Sequence, residues 1–401
     1  MPPSTRQTRR FLARCAQAAG ALLLVLVVGL LAKAWPDLGA ASTGARRARL
    51  EQSAQWRDGK FVNAQPRRDD GWGMLKGAFS ASPDRSPREP VSTREVQRPL
   101  LEAAPPTGLR VTWFGHSSAL VELDGHRVLT DPIWSERASP LPWLGPRRYF
   151  PPLIPLEALP EIDAVVISHD HYDHLDRGTV SRMKGWATTF VVPLGLGAHL
   201  ASWGIPETRI VELDWWERAS INGLAIVATP SRHASGRALY DNDSKLWSGF
   251  ALLGPRHRVY YSGDTSLFPA MGAIGERLGP FDLTLIEVGQ YDRSWPDWHL
   301  GPEQALQVHG LVRGKVLLPV HWGLFTLGYH SWTEPIERAL AAAHRAGATV
   351  ICPRPGQSVE PERGLPLERW WPELPWKTAR VSPVVSTQLD PPTGAPSKAP
   401  R

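Results

Sequence analysis

Residues 169–176 read His-Asp-His-Tyr-Asp-His-Leu-Asp, with three histidines and three carboxylates in eight positions. They directly follow the apolar run 164–168, which predicts a buried strand. In an extended loop His169 and His171 converge on one cation, while Asp173 and His174 point to a second position nearby. Imidazole and carboxylate groups without thiolate suit Zn²⁺, with Mn²⁺ or Fe less favoured. The stretch therefore predicts a metal site at the end of a strand.

Further candidate ligands stand at the ends of other apolar runs. His233 follows the run 225–229, Asp264 follows 259–262 and His321 follows 316–320. Any one of them alone is more typical of an ordinary buried polar residue. Because each follows a predicted strand, together they predict additional ligands for a site with two metals.

The core of the chain alternates short strand patterns with loops and a few helices. The predicted strands are 110–114, 119–123, 127–130, 164–168, 190–192, 225–229, 259–262, 283–288 and 316–320, and the predicted helices are 303–311 and 334–346. A weak internal echo relates 126–131 to 257–264, each followed by an acidic residue and an apolar strand, at 163–168 and 282–288. The echo predicts two similar β-rich halves packed face to face.

The motif His-x-His-x-Asp-His, followed by His, Asp and His at strand ends, resembles the binuclear metallo-β-lactamase fold. The resemblance covers about 110–325 and implies an α+β, four-layer αββα sandwich. It implies that one zinc ion is held by His169, His171 and His233, and a second by Asp173, His174 and His321, with Asp264 bridging the two.

A narrower resemblance rests on 113–118, 168–176, 231–237 and 321–323. These stretches are similar to the branch that contains the N-acyl-phosphatidylethanolamine-hydrolysing phospholipase D enzymes and their bacterial relatives. His299, before Pro302-Glu303, matches a histidine of that branch. The resemblance implies a zinc phosphodiesterase that acts on N-acyl-phosphatidylethanolamine-like lipids through a metal-activated water. The long N-terminal arm and the Pro-rich tail depart from the family.

Three other functions stay open or are disfavoured. The bacterial branch includes lactonases, so a zinc-dependent lactonase or esterase with a soluble substrate is an alternative. A non-enzymatic, zinc-stabilised binding module tethered to a membrane is another. A redox di-iron site is disfavoured, because a carboxylate at 171 would suit iron better and no flavin-binding segment follows.

The chemistry of the residues around the metals suggests further roles. Asp264 and Asp173 are candidate catalytic residues: Asp264 would bridge the metals, and Asp173 would bind a metal and orient the attacking water. His299 and His116 are candidate proton donors or polar lining, with a buried, hydrogen-bonded histidine as the alternative for each. Arg232 and Arg237 flank a ligand and can bind a phosphate with paired hydrogen bonds; the alternative is an ion pair with another part of the protein. Asp170 and Asp176 are candidate partners for the outer nitrogens of metal-binding histidines.

Tryptophan is the unusual component of the composition, with 18 residues against 10 Phe and 7 Tyr. Some of these residues stand in loops beside the motifs, where they predict an apolar wall at the mouth of the site or a contact with a bilayer; the alternative is a place in the core. The residues in question are Trp134, Trp143, Trp295, Trp298 and Trp322.

Charge and proline content divide the chain of 401 residues. Residues 1–100 have 17 Lys and Arg against 8 Asp and Glu, whereas 101–360 have 22 against 27. The net charge of +6 therefore does not belong to the core, and no nucleic-acid partner is expected. Many of the 39 prolines lie near the ends. We expect a linker and irregular lead-in at 36–108, one catalytic domain at 109–360 and a disordered tail at 361–401.

Residues 15–32 carry no charge and follow a group of arginines, which predicts contact with a membrane. Residues 1–35 are expected to be a signal anchor, with a cleaved signal peptide ending at Ala34 as the alternative. In a bacterium the domain would then be anchored in the inner membrane or exported to the periplasm. The two cysteines, Cys15 and Cys352, exclude a disulfide framework and a Cys-rich zinc site.

Overall fold

The computed structural model describes residues 5–387. Its strands are β1 Trp56–Arg57, β2 Lys60–Phe61, β3 Leu109–Gly115, β4 Ser118–Leu123, β5 His126–Thr130, β6 Ala164–Val166, β7 Thr189–Pro193, β8 Ile210–Leu213, β9 Arg218–Ile221, β10 Leu224–Thr229, β11 Gly249–Leu253, β12 Arg258–Tyr261, β13 Phe281–Glu287, β14 Gly314–Val320, β15 Thr349–Val350 and β16 Ser358–Val359. Its helices are α1 Thr5–Ala34, α2 Gly44–Glu51, α3 Gly71–Phe79, α4 Arg98–Glu102, α5 Arg177–Arg182, α6 Gly197–Ser202, α7 Met271–Leu278, α8 Pro302–Leu311 and α9 Glu334–Ala346.

Two seven-stranded mixed sheets form the body of the protein. One has the strand order β16-β3-β4-β5-β6-β7-β8 and the other the order β15-β14-β13-β12-β11-β10-β9. Each begins with antiparallel hairpins and continues with parallel pairs, β5 with β6 in the first sheet and β12 with β13 in the second. Every predicted strand is present, with ends shifted by at most about two residues, as period-2 patterns allow. The sequence patterns missed β8, β9 and β11 and the two-residue strands β1, β2, β15 and β16.

The layers follow from the alternation of side chains along the strands. On β3 and β4, Val111, Trp113 and Val121 point into a core shared with the other sheet. Phe114 and Leu120 point to the opposite face, where they join the apolar residues of α5 and α6. Helices α7, α8 and α9 cover the second sheet. The order is therefore helix, sheet, sheet, helix, as the resemblance implied.

The internal echo corresponds to a repeated contact in the two sheets. Asp163, just before β6, accepts a hydrogen bond from the backbone N–H of Arg127 at 2.9 Å. Asp282, at the start of β13, accepts one from the N–H of Arg258 at 2.9 Å. An acidic residue at the start of the second strand thus fixes the register of the parallel pair β5–β6 in one half and of the pair β12–β13 in the other.

The segments outside the predicted domain pack onto it. Leu50 of α2 and Phe61 of β2 are completely buried in a cluster with Trp247. Trp370 and Trp371 are 7% and 5% exposed and pack against the aromatic rings of Trp322. The expectation of disorder is therefore wrong for this part of the tail, because its tryptophans complete the core; residues 388–401 lie outside the described residues. The stretch predicted as a linker contains α2, α3, α4 and the β1–β2 hairpin.

One helix among the described residues is long and apolar enough to cross a membrane. It covers Arg14–Leu38 by composition, and its apolar side chains are exposed. This length and composition are also typical of a signal sequence.

Candidate metal centre

The loops at one edge of the two sheets bring three histidines together. His169 and His171 lie on the loop after β6, and His233 lies on the loop after β10. His171 Nδ1 lies 2.8 Å from His169 Nε2 and 3.3 Å from His233 Nε2. Three ring nitrogens thus converge on one point, an arrangement that offers three imidazole ligands to a cation.

A second group lies beside the first. Asp173 Oδ2 lies 3.3 Å from His174 Nε2 and 3.4 Å from His321 Nε2. His116 Nε2 lies 2.8 Å from the same carboxylate oxygen. The predicted second group of Asp173, His174 and His321 is therefore assembled, and His116 joins it through Asp173.

Asp264 stands between the two groups. Its Oδ2 atom lies 3.1 Å from His321 Nε2 and 3.2 Å from His174 Nε2 on one side. On the other side the same atom lies 3.7 Å from His233 Nε2 and 3.8 Å from His169 Nε2. One carboxylate oxygen therefore faces ring nitrogens of both groups, which is the position expected of a bridging ligand.

In the described part of the chain, several buried nitrogen and oxygen atoms at this site have no hydrogen-bond partner, which fits the binding of metal ions. Within residues 5–387, His174 Nε2, His321 Nε2 and Asp264 Oδ1 are buried and have no hydrogen-bond partner. Buried polar atoms without a partner are costly, and lone pairs that converge without donors are what a cation satisfies. The donor set consists of imidazole nitrogens and carboxylate oxygens, which suits Zn²⁺.

The outer nitrogens of these histidines are held by other groups. His174 Nδ1 lies 2.6 Å from Asp131 Oδ2, and His169 Nδ1 lies 2.9 Å from Ser168 Oγ. The carbonyl oxygens of Trp298 and Gly289 lie 2.8 Å from His233 Nδ1 and 3.3 Å from His321 Nδ1. These contacts fix the rings so that the inner nitrogens face the centre.

The carboxylates predicted for this supporting role lie elsewhere. Asp176 caps α5 and accepts hydrogen bonds from the backbone N–H of Gly178 and Ser135, at 2.9 and 2.8 Å. Asp170 points away from the centre to His199. Both predictions are therefore wrong in position. Asp170 faces away from the neighbouring ligands His169 and His171, and Asp176 is used as the N-cap of α5. The residue that does support a ligand is Asp131. It follows the predicted strand 127–130 as Asp264 follows 259–262, so its position after a strand could have indicated a place at the site.

Backbone strain accompanies the site. His116 and His321 both have a left-handed backbone, with φ of 52° and 64°. Backbone hydrogen bonds join the two segments: the N–H of His321 donates to His116 O at 2.9 Å, and the N–H of His116 donates to Trp322 O at 3.0 Å. Non-glycine residues in this region cost about 1–3 kcal/mol each and persist where surrounding contacts hold them. These hydrogen bonds hold the two histidine loops together.

The electrostatics favour neutral imidazoles at His169 and His233 and ionised carboxylates at Asp264 and Asp173. Burial lowers the pKa of His169 and His233 well below the usual value, so their lone pairs are free at neutral pH. Burial would raise the pKa of Asp264, but His174 and His321 lower it well below its usual value. Burial likewise opposes ionisation of Asp173, whose pKa is lowered by His174 and His116. Although burial opposes it, Asp264 and Asp173 raise the pKa of His174 well above its usual value, and Asp264 is the main cause that raises the pKa of His321 to about 10. Two buried carboxylates are thus charged and face these two imidazoles.

His299 is joined to a glutamate that no motif predicted. Its Nδ1 lies 2.8 Å from Glu287 Oε2, and Glu287 is completely buried at the end of β13. Glu287 Oε1 also accepts a hydrogen bond from the backbone N–H of Thr265, at 2.6 Å. The glutamate therefore orients the ring of His299, and its position inside an apolar strand gave no sequence signal.

The two arginines predicted to bind phosphate are occupied by the protein. Arg232 Nη1 forms an ion pair with buried Asp297 at 2.9 Å, and its Nε donates to Gln65 O. Arg237 donates through Nη1 to the carbonyl oxygens of Asp170 and Leu175, both at 2.8 Å. The phosphate-binding prediction is wrong for both, because neither buried guanidinium faces the cavity.

A cavity of about 290 Å³ opens at the metal centre. Its polar side holds His171, Asp173, Asp264, His299 and His321, and its remaining wall holds Met74, Gln290, Trp295, Trp298 and Leu327. Trp298 and Trp295 thus line the mouth as predicted. His116 is not part of the lining.

The other tryptophans divide between core and surface. Trp134 and Trp322 are 6% and 2% exposed and belong to the core, so the prediction of a place at the mouth is wrong for them. Trp143 is 51% exposed, and the Lys33 ammonium lies 4.9 Å from its ring centre. Seven of the 18 tryptophans are buried. Five of these form one cluster in the core: Trp113, Trp322, Trp332, Trp370 and Trp371.

Comparison with known proteins agrees with this geometry. The model of the beta-lactamase superfamily domain matches residues 126–322. An uncharacterized protein of Mycobacterium tuberculosis (strain ATCC 25618 / H37Rv) is 46% identical over 361 residues, which cover 88% of this chain and 95% of that protein. Residues 126–322 of this chain thus form a beta-lactamase superfamily domain, and the two sheets with their flanking helices have the metallo-β-lactamase fold.

The chain is also similar to an enzyme of named activity and to a solved structure. N-acyl-phosphatidylethanolamine-hydrolyzing phospholipase D 1 of Caenorhabditis elegans is 41% identical over 234 residues, 55% of this chain and 66% of that protein. A possible metal-dependent hydrolase from Veillonella parvula DSM 2008 superposes with a TM-score of 0.50 at 15% identity, over 62% of this chain and 98% of that one. The latter similarity supports the fold alone.

Proposed function

We propose that the protein is a binuclear zinc phosphodiesterase of the phospholipase D type that hydrolyses N-acyl-phosphatidylethanolamine-like lipids. The observation that carries the proposal is the position of Asp264 Oδ2, which faces ring nitrogens of both histidine groups within 3.8 Å. The substrate class is supported by the similarity to the nematode enzyme and by a yeast enzyme of the same name, 31% identical over 259 residues.

Each metal has its own set of ligands. His169, His171 and His233 would hold one zinc ion, and Asp173, His174 and His321 the other, with Asp264 shared. When bound, two zinc ions lower the pKa of water and neutralise negative charge on phosphoryl oxygens. His116 is fully buried and bonded to Asp173, so its part is to orient that carboxylate rather than to donate a proton to substrate.

His299 is the proton donor to the leaving group in this proposal. It lines the cavity, and Glu287 holds its Nδ1 atom, which leaves Nε2 for the substrate. A positioned histidine of this kind contributes about 10²–10⁴-fold in rate.

The wall of the cavity suits a lipid. Met74, Trp295, Trp298 and Leu327 provide apolar surface beside the charged centre, so an acyl chain and a phosphate can lie side by side. In this proposal the protein is held at its substrate by α1, through residues 15–32, as an anchored or exported membrane-associated enzyme.

The test uses the full-length protein in mixed micelles that contain N-acyl-phosphatidylethanolamine, after metal analysis of protein purified without added metal. We expect two zinc ions per chain and release of phosphatidic acid, lost in Asp264→Asn and retained in His126→Ala, at the far end of β5. Iron in place of zinc contradicts the metal assignment. Turnover of water-soluble lactones alone would support the lactonase alternative.

The binding-module alternative has a distinct outcome. If wild-type protein binds two zinc ions and turns over neither substrate class, and His171→Ala only lowers the melting temperature, then the metals have a structural role and the hydrolase proposal is overturned.

A further inference from the structure

The segment directly after α1 lies on the back of the metal-binding loop. This strap (residues 36–40) makes hydrogen bonds to the catalytic body through its backbone. Trp203 Nε1 donates to Pro36 O at 2.8 Å, and Arg237 Nε donates to Asp37 O at 2.6 Å. Asp37 also pairs through its side chain with Arg177 Nε at 3.0 Å. The strap is thus fixed at several points within a few residues of the apolar helix.

A further contact of the strap connects it to the metal-binding loop through His199. The backbone N–H of Ala40 donates to His199 Nδ1 at 2.8 Å. Because Nδ1 accepts this hydrogen bond, the ring proton of His199 resides on Nε2. His199 Nε2 then donates to Asp170 Oδ2, 3.2 Å away. Asp170 is completely buried and lies between His169 and His171 in the chain.

A second path runs through Arg237. Its guanidinium joins Asp37 O of the strap to the carbonyl oxygens of Asp170 and Leu175, at both ends of the His-Tyr-Asp-His segment. The ring of Tyr172 packs on this guanidinium, 4.0 Å from centroid to carbon. Two independent sets of hydrogen bonds therefore connect the strap to the backbone that presents His169, His171 and Asp173.

The approach of the strap to His199 is so close that it requires glycine. Gly39 has φ of +76°, and a Cβ atom there would overlap the imidazole ring of His199. Gly44, in the same arm, also has positive φ, +55°, but a Cβ atom there meets nothing within 4 Å. Both glycines have a positive φ, but only Gly39 lies against His199, and with ψ of −151° it also lies in a backbone region that is essentially restricted to glycine.

We propose that the strap and His199 are positioning elements of the metal centre: they fix Asp170 and so the separation of His169 and His171. The inference rests on the metal-binding part of the proposed function. It couples the apolar helix α1 to the metal centre, because the strap begins where that helix ends. It also predicts that cleavage after Ala34 leaves the metal centre intact, since the whole strap remains on the mature chain.

The test compares Gly39→Ala with Gly44→Ala in the full-length protein. Zinc affinity is measured by competition with a chromophoric chelator, and the geometry by the visible absorption of the Co²⁺-substituted protein. We expect Gly39→Ala to bind the metal about 10–100-fold more weakly, with an altered Co²⁺ spectrum, because supporting contacts of metal ligands have effects of this size. Gly44→Ala should match the wild type in both measurements, since a Cβ atom there meets nothing within 4 Å.

A second pair of variants keeps the test decisive if Gly39→Ala does not fold. His199→Gln retains an amide that can donate to Asp170, whereas His199→Leu does not. We expect the Leu variant to lose zinc affinity and the Gln variant to recover most of it. Wild-type affinity and spectrum in both Gly39→Ala and His199→Leu would overturn the inference. A wild-type protein that binds no zinc would instead contradict the proposed function.

Discussion

His174 Nδ1 lies 2.6 Å from Asp131 Oδ2, and both side chains are completely buried. Asp131 also accepts hydrogen bonds from the backbone N–H and the hydroxyl of Ser168, at 2.7 and 2.6 Å. The carboxylate thus fixes the loop that begins at Ser168 and the ring of His174 together. We predict that Asp131→Asn lowers the affinity for the metal at the Asp173–His174–His321 group about 10–100-fold. Metal content after dialysis against a graded series of chelator concentrations measures the effect.

The chain contains a matched control for this substitution. Asp124 Oδ1 lies 2.7 Å from His257 Nδ1, at the opposite end of β5 from Asp131. Asp124 and Asp131 both have a positive φ. Asp124→Asn removes the same charge from the same kind of pair away from the metals. It should retain both metal ions at wild-type affinity, and equal metal content in both variants would contradict the role of Asp131.

His299 and Glu287 supply the second prediction. Because Glu287 Oε2 holds His299 Nδ1 at 2.8 Å, both His299→Ala and Glu287→Gln should lower kcat, the first about 10²–10³-fold and the second less. KM should change little in either, since neither residue provides apolar wall. Steady-state kinetics on N-acyl-phosphatidylethanolamine micelles, with metal content measured on the same samples, separates this effect from metal loss. An unchanged kcat in His299→Ala would exclude it as the proton donor.

The sequence predicted the parts of the site that lie on local patterns. A histidine or aspartate that ends an apolar strand can be recognised from a short window, and His233, Asp264 and His321 were found in this way. The groups that support them come from distant segments. Asp170 and Ala40 are separated by more than a hundred residues, and their link through His199 depends on where the arm crosses the sheet edge.

The errors have a common physical origin. The position of Arg232 and Arg237 beside a ligand predicts a contact with substrate, but proximity in sequence does not give the direction of a long side chain. Both guanidinium groups turn into the protein, where carbonyl oxygens and Asp297 satisfy them. The tail was assigned to disorder from its proline content, although its paired tryptophans are residues that a core readily buries.

The packing of the tail gives the third prediction. The Trp370 ring stacks 5.2 Å from that of Trp322, which follows the candidate ligand His321 in the chain. Trp370→Ala should lower the free energy of unfolding by about 3–5 kcal/mol, because it leaves a large cavity in the core. Trp376→Ala, at a residue that is 36% exposed, should cost about 1 kcal/mol or less. Urea unfolding followed by circular dichroism measures both, and equal values would show that the tail does not complete the core.

The last prediction concerns the pH dependence of stability and a histidine away from the metals. His309 of α8 is 4% exposed and shares a hydrogen bond of 2.8 Å with Thr284 Oγ1; burial lowers its pKa to about 4. The unfolded chain takes up this proton near pH 6.5, whereas the folded protein does not until about pH 4. Between these values the unfolded state binds more protons, so the contribution of His309 to stability falls as the pH falls from 6.5 towards 4 and changes no further below that.

His309→Gln, which cannot titrate and can keep the bond to Thr284, should lose less melting temperature than the wild type between pH 7.5 and 5. Because all other titrating groups are common to both proteins, parallel melting curves across this range would show that His309 is not held neutral in the fold.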